Sequence, residues 1–139
     1  MLTGEQIDNW NDPPVRLTAN DIHTINQLTE KLHHANVRAG WWPEGGTTDP
    51  YVVATKIALV VSELAEMLEA YRKDLDDDHL KHHKGVAVEG ADVLLRLFDL
   101  MGALGVRNFG GIVAEKHTYN QSRADHSSEA RSKTNGKKF

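Results

Sequence analysis

The 139-residue chain contains no cysteine. Disulfides and thiolate metal sites are excluded, and a reducing compartment is compatible with the sequence. No apolar run approaches the ~20 residues that a membrane-spanning helix needs, so no membrane partner is expected. The opening stretch MLTGEQIDNWNDPP has no basic segment leading into an apolar one. It does not read as a secretory signal, and a cytoplasmic protein is the expectation. The net charge of -4 provides no general attraction for polyanions, so no nucleic-acid partner is expected. Aromatics are scarce at 6 %, which makes the adjacent pair Trp41 and Trp42 stand out.

What is present is ordinary for a globular protein: 40 % hydrophobic and 26 % charged residues, in a chain long enough for one domain with a core. Thr18 to Asp21 reads as a helix start, and Ile22, Ile25, Leu28, Leu32 and Ala35 then recur at helical spacing until Gly40. Thr48-Asp49-Pro50 opens a second helix with proline suited to its first turn. Ile57, Val60, Val61, Leu64, Met67, Leu68 and Tyr71 form a one-sided stripe along it. The charged run from Lys73 to Gly85 reads as a solvated, mobile connection. A third helix is expected from about Val86 to Leu104. It is apolar on more than one face, through Val93, Leu97, Leu100 and Leu104 and also Leu94, Leu95 and Phe98, which predicts a subunit interface. A fourth is expected from about Phe109 to Arg123. Residues 1–17 read as irregular, and 124–139, rich in Ser, Lys and Asn, as a disordered tail. The fold class is all-α: an antiparallel bundle of about four helices over residues 1–123, assembled as an oligomer.

Two matched pairs of acids lie on the apolar helices, Glu63 with Glu66 and Glu89 with Asp92. Residues three apart share a helix face, so each pair points one way, and antiparallel packing lets all four face one volume. Carboxylates among Leu and Val are costly unless neutralised. Mg²⁺ prefers oxygen ligands, keeps several waters and shares coordination with substrate phosphates. The alternative is a row of surface acids, with Arg96 pairing along its own helix with Asp92 and Asp99.

The ordered pattern, Glu63-x-x-Glu66, 22 residues, then Glu89-x-x-Asp92, resembles the MazG-like all-α nucleoside triphosphate pyrophosphohydrolase superfamily, which includes dCTP pyrophosphatase and dimeric dUTPase. Lys116-His117-Thr118-Tyr119-Asn120-Gln121-Ser122-Arg123 resembles that family's Lys-x-x-x-Asn-x-x-Arg element, and Trp41-Trp42 its aromatic loop. The resemblance spans about residues 20 to 123. It implies cleavage of a nucleoside triphosphate between the α and β phosphates, giving the monophosphate and pyrophosphate. It further implies Mg²⁺, with Mn²⁺ as a substitute, held by Glu63, Glu66, Glu89 and Asp92. Glu66 or Glu63 would position the attacking water. Lys116, Asn120 and Arg123 would bind phosphate, as would Arg96, which stands where some relatives place an aromatic. Trp41, Trp42, His33 and Asn36 are the candidates for the base. A homodimer or homotetramer is implied. Gly90, inside the second acidic motif, departs from the pattern. It costs about 1 kcal/mol of helix stability and would permit close helix approach. Two other classes fit less well. A di-iron bundle needs Glu-x-x-His from two helices, and Glu30-x-x-His33 is the one plausible copy. A non-catalytic nucleotide-binding or helical interaction module is the remaining alternative.

Overall fold

The computed structural model describes residues 13–43 and 49–137. The first twelve residues of the N-terminal segment, residues 44–48, and Lys138 and Phe139 lie outside the described residues. The chain is all-helical, with four main helices: α1 (Ala19–Arg38), α2 (Pro50–Lys73), α3 (Gly85–Ala103) and α4 (Phe109–Ser122). A five-residue α5 (Ser128–Ser132) follows. Among the described residues there is no strand, and one isolated bridge joins Asp76 to Lys84. The chain falls into two compact units. One comprises Ile25–Phe109; the other comprises the described residues up to Thr24 and those from Gly110 onward.

Within the first unit, both ends of α2 have local causes. Asp49 caps α2 by accepting from the Tyr51 amide at 2.8 Å, and Pro50 takes the first turn. The helix stops where Asp74 turns left-handed at φ 50°. The run from Asp74 to Lys84 is more tightly tied than its composition predicts. Asp77 accepts from the amides of His79 and Leu80, and Lys84 pairs with Asp74 and Asp76. The Gly85 amide donates to the Leu75 carbonyl at 2.9 Å. Polar composition suggests mobility, but short-range Asx capping binds the turn to itself.

α2 and α3 pack antiparallel, Ala70 opposite Gly85 and Glu63 opposite Asp92 and Arg96. A Cβ on Gly85 would stand 3.0 Å from the Ala70 Cβ, so the close approach lies here. At Gly90 the nearest atom to an added Cβ is Met67 Sδ at 3.9 Å, an ordinary contact, and the expected close approach at that position is not needed. The stripe on α2 divides in two. Val60, Glu63, Met67 and Ala70, on the side toward α3, are buried or half-buried. Ile57, Val61, Leu64, Leu68 and Tyr71 are exposed. On α3, Leu94 and Leu95 are also exposed, while Phe98 meets Phe109 edge-on with ring centroids 5.6 Å apart. α1 meets α3 at Gly102, where a Cβ would stand 2.5 Å from the His33 Cβ and 3.1 Å from the Thr29 carbonyl oxygen. Only glycine allows that separation.

In the second unit, Thr18 and Asp21 exchange hydrogen bonds that cap α1. Those bonds hold the Asp21 carboxyl below its usual range. The irregular segment after Pro13 is tied to α4 by paired bonds between Val15 and Gln121, at 2.9 and 2.8 Å. α4 ends at Ser122, so Arg123 lies just beyond the helix with extended backbone. Residues 124–137, read from composition as a tail without structure, carry a 3-10 turn (Ala124–His126) and α5, whose start is capped by Ser127. Ser and Asp at such positions cap local turns, a role that composition does not display.

Candidate metal centre and adjoining cavity

Glu63 occupies the middle of the α2 row that faces α3, and it is only 6 % exposed. Across from it, Glu89 and Asp92 are half-buried on one side of α3. One oxygen from each of the three lies within 4.8 Å of the others, an arrangement able to hold a cation. Glu66, the fourth acid of the expected set, is exposed and stands outside that group of three. Its charge is nevertheless felt. Glu89 is held above the ordinary carboxylate range first by burial, then by the charges of Glu66, Glu63 and Asp92, and by a hydrogen bond with Glu63.

Arg96 does not pair along its own helix. Its Nε donates to Glu63 Oε1 at 2.6 Å across the α2–α3 interface. Asp99, a partner of Arg96 in the alternative reading, is instead buried at 5 % exposure. Its Oδ1 accepts from Trp42 Nε1 and lies 2.8 Å from each of Trp42 Nε1 and His33 Nδ1. The His33 ring meets Trp42 edge-on at 5.5 Å. His33 is thereby committed to Asp99, which leaves the Glu30-x-x-His33 motif without its imidazole.

A cavity of about 450 Å³ adjoins the acids and shares Asp92 and Arg96 with them; Asn36, Trp41, Trp42 and Asp99 also line it. Three of the four candidate base contacts therefore border one cavity, and His33 supports it through Asp99. Lys56 belongs to the same wall. Its Nζ donates to the Trp41 carbonyl at 3.0 Å and lies 4.5 Å from the centre of the Trp42 ring, a cation–π arrangement. Sequence reasoning missed Lys56 and the role of Asp99. The signal was there: Lys56 is seven residues before Glu63, and Asp99 seven after Asp92, spacings that return to the same helix face.

The basic element stands in the other unit. Lys116 and Asn120 are on α4, with Lys116 Nζ 4.9 Å from the centre of the Tyr119 ring. Arg123 forks onto Asp125 through Nε at 3.0 Å and Nη2 at 2.7 Å. That pairing raises the guanidinium and lowers the carboxyl. Among the described residues no helix is long and apolar enough to cross a membrane. Comparison of the chain with protein-family models, curated proteins and solved structures finds no match.

Proposed function

We infer that the protein is a Mg²⁺-dependent nucleotide pyrophosphohydrolase, cleaving a nucleoside or deoxynucleoside triphosphate to the monophosphate and pyrophosphate. The observation that carries this reading is the convergence of Glu63, Glu89 and Asp92 beside a cavity walled by Trp41 and Trp42. The donor set suits the ion: every ligand atom is a carboxylate oxygen, the preference of Mg²⁺ and Mn²⁺. Burial first, and then the neighbouring charges of Glu66, Glu63 and Asp92, raise the Glu89 carboxyl, and a bound cation would offset both. When bound, the ion supplies Lewis acidity to the phosphate oxygens and a water acidified for attack. Glu63 or Glu66 would orient that water. Arg96, already anchored to Glu63, would turn its guanidinium to a phosphate, and Trp41 would take the base by stacking, with the buried Trp42 as the wall behind it. Lys116, Asn120 and Arg123 are proposed for the phosphates on the resemblance alone. The deciding experiment is a pyrophosphate-release screen over canonical and modified triphosphates with Mg²⁺ and with Mn²⁺. Release from none of them removes the reading.

Proton and metal compete for the same oxygens, which fixes a pH dependence. Glu89 binds its proton more tightly folded than unfolded. Above its ordinary value near 4.5 the folded chain therefore holds the extra proton, and stability falls as pH rises. Asp21, Asp77 and Asp125 are shifted downward, so their contribution is lost only at more acidic pH. A cation that replaces the proton must stabilise more as pH rises. The melting temperature with MgCl₂ is expected to exceed that without it by a margin that widens from pH 4.5 towards neutrality. A margin independent of pH counts against this site.

The protein would act as a homodimer or homotetramer. Among the described residues only Trp42, Ala70 and Leu100 are buried hydrophobics, few for a chain of this length. Ile57, Val61, Leu64, Leu68 and Tyr71 recur in alternating steps of four and three along the exposed side of α2, with Tyr71 72 % exposed. That is the spacing of a helix–helix seam. The wild type is expected to sediment as a dimer or larger at micromolar concentration and a Leu64→Glu/Leu68→Glu variant as a monomer. A monomeric wild type overturns the assembly.

A further inference from the structure

We propose that Asp99 selects the base held in the cavity, accepting a hydrogen bond from an exocyclic amino group, so that cytosine and adenine are taken in preference to uracil and hypoxanthine. The proposal rests on the nucleotide reading above and adds a specificity determinant to it. Asp99 is nineteen-twentieths buried, at 5 % exposure, and it lines the cavity. Both of its hydrogen bonds fall on one oxygen: Trp42 Nε1 and His33 Nδ1 each lie 2.8 Å from Oδ1. Two donors on one oxygen fix the plane of the carboxyl group and so the direction of the other. Oδ2 takes no bond from the described residues. Yet no side-chain oxygen or nitrogen among them is both enclosed and unpaired. Oδ2 therefore keeps an opening, and the cavity that Asp99 borders is where that opening leads.

The chemistry of that oxygen is one-sided. A carboxylate oxygen accepts and does not donate. An amino group presented to it supplies the missing proton. A carbonyl at the same place supplies none, and it sets two oxygen lone pairs facing each other beside a carboxyl that is itself 5 % exposed. Sites built around a buried polar group reject the analogue that cannot pair with it far more strongly than apolar pockets reject a misfit. Cytosine differs from uracil, and adenine from hypoxanthine, by an amino group where the counterpart has a carbonyl. Trp41, exposed at the cavity wall, offers stacking surface to any base, so discrimination falls to the edge contact. Asp92 and Arg96, on the same wall, stand toward the metal centre, which places Asp99 on the side away from the phosphates, seven residues along α3.

The test is calorimetric titration of the intact protein, with Mg²⁺, against α,β-methylene analogues in two matched pairs: CTP with UTP, and ATP with ITP. The wild type is expected to bind the amino-bearing member of each pair at least tenfold more tightly. Asp99→Asn retains an oxygen for Trp42 and His33 and turns an amide donor toward the cavity. Its preference is expected to collapse or reverse toward UTP and ITP, with its circular dichroism unchanged. If that variant does not fold, the wild-type ratios decide alone. Equal wild-type affinities within both pairs overturn the proposal, as does a folded Asp99→Asn with unaltered ratios; either result leaves the nucleotide reading standing. Absence of binding by all four analogues to the wild type overturns both.

Discussion

Asp92→Asn is expected to abolish pyrophosphate release while the helices remain folded, and Glu63→Gln to do the same. Both changes keep shape and remove a charged oxygen ligand. Removing a group that merely supports a metal ligand costs roughly 10- to 100-fold, so loss of the ligand itself should exceed that. The two variants differ in an instructive way. Glu63 also anchors Arg96 at 2.6 Å, and Glu63→Gln replaces that ion pair by a hydrogen bond from the charged guanidinium to a neutral amide. Asp92 has its place among the three converging oxygens and no ion pair with Arg96. Asp92→Asn is therefore the cleaner test of metal chemistry. Turnover measured by phosphate detection after added pyrophosphatase, alongside circular dichroism, separates activity from folding. Unchanged turnover in either variant removes the catalytic assignment.

The largest loss of stability is expected from Trp42→Ala, about 3–5 kcal/mol. Trp42 is one of three buried hydrophobic residues among those described, and by far the largest. It touches His33 edge-on, carries Lys56 on its face and donates to Asp99. Trp42→Phe retains most of the apolar area and loses the donor, and should cost about 1 kcal/mol, because His33 still serves the same oxygen. Urea denaturation measures both. A loss under about 1 kcal/mol for Trp42→Ala would show that the ring is not what holds α1 against α3.

The helices were legible because their signals are short-range. Asp49-Pro50 and Thr18 with Asp21 cap where capping chemistry predicts, and the apolar periodicity marks α2 and α3. Three of the acids were legible for a related reason: residues three apart share a helix face, and antiparallel packing can bring two such faces together. Glu66 was not so placed, since a shared face does not say which of two neighbours turns inward. The sides of the α2 stripe were likewise ambiguous. Seven apolar positions make an arc too wide for one neighbour, and sequence does not reveal which half meets α3. The intrahelical pairing of Arg96 with Asp92 and Asp99, the alternative weighed for that ridge, always offers itself at three and four residues. Only the location of α1 and of the Trp42 loop reveals that a tertiary donor outcompetes it. Gly90 was credited with a close approach that belongs to Gly85 and Gly102, since glycine alone does not say which backbone it admits.

Gly102 has a wider consequence. The atom its missing methyl would strike belongs to His33, the residue whose imidazole steadies Asp99. The gap between two rods and the pose of a recognition group are thus one mechanical quantity. The edge that would greet an incoming base is set when the chain folds, in advance of any encounter, and little of the guest's affinity is consumed in arranging its host.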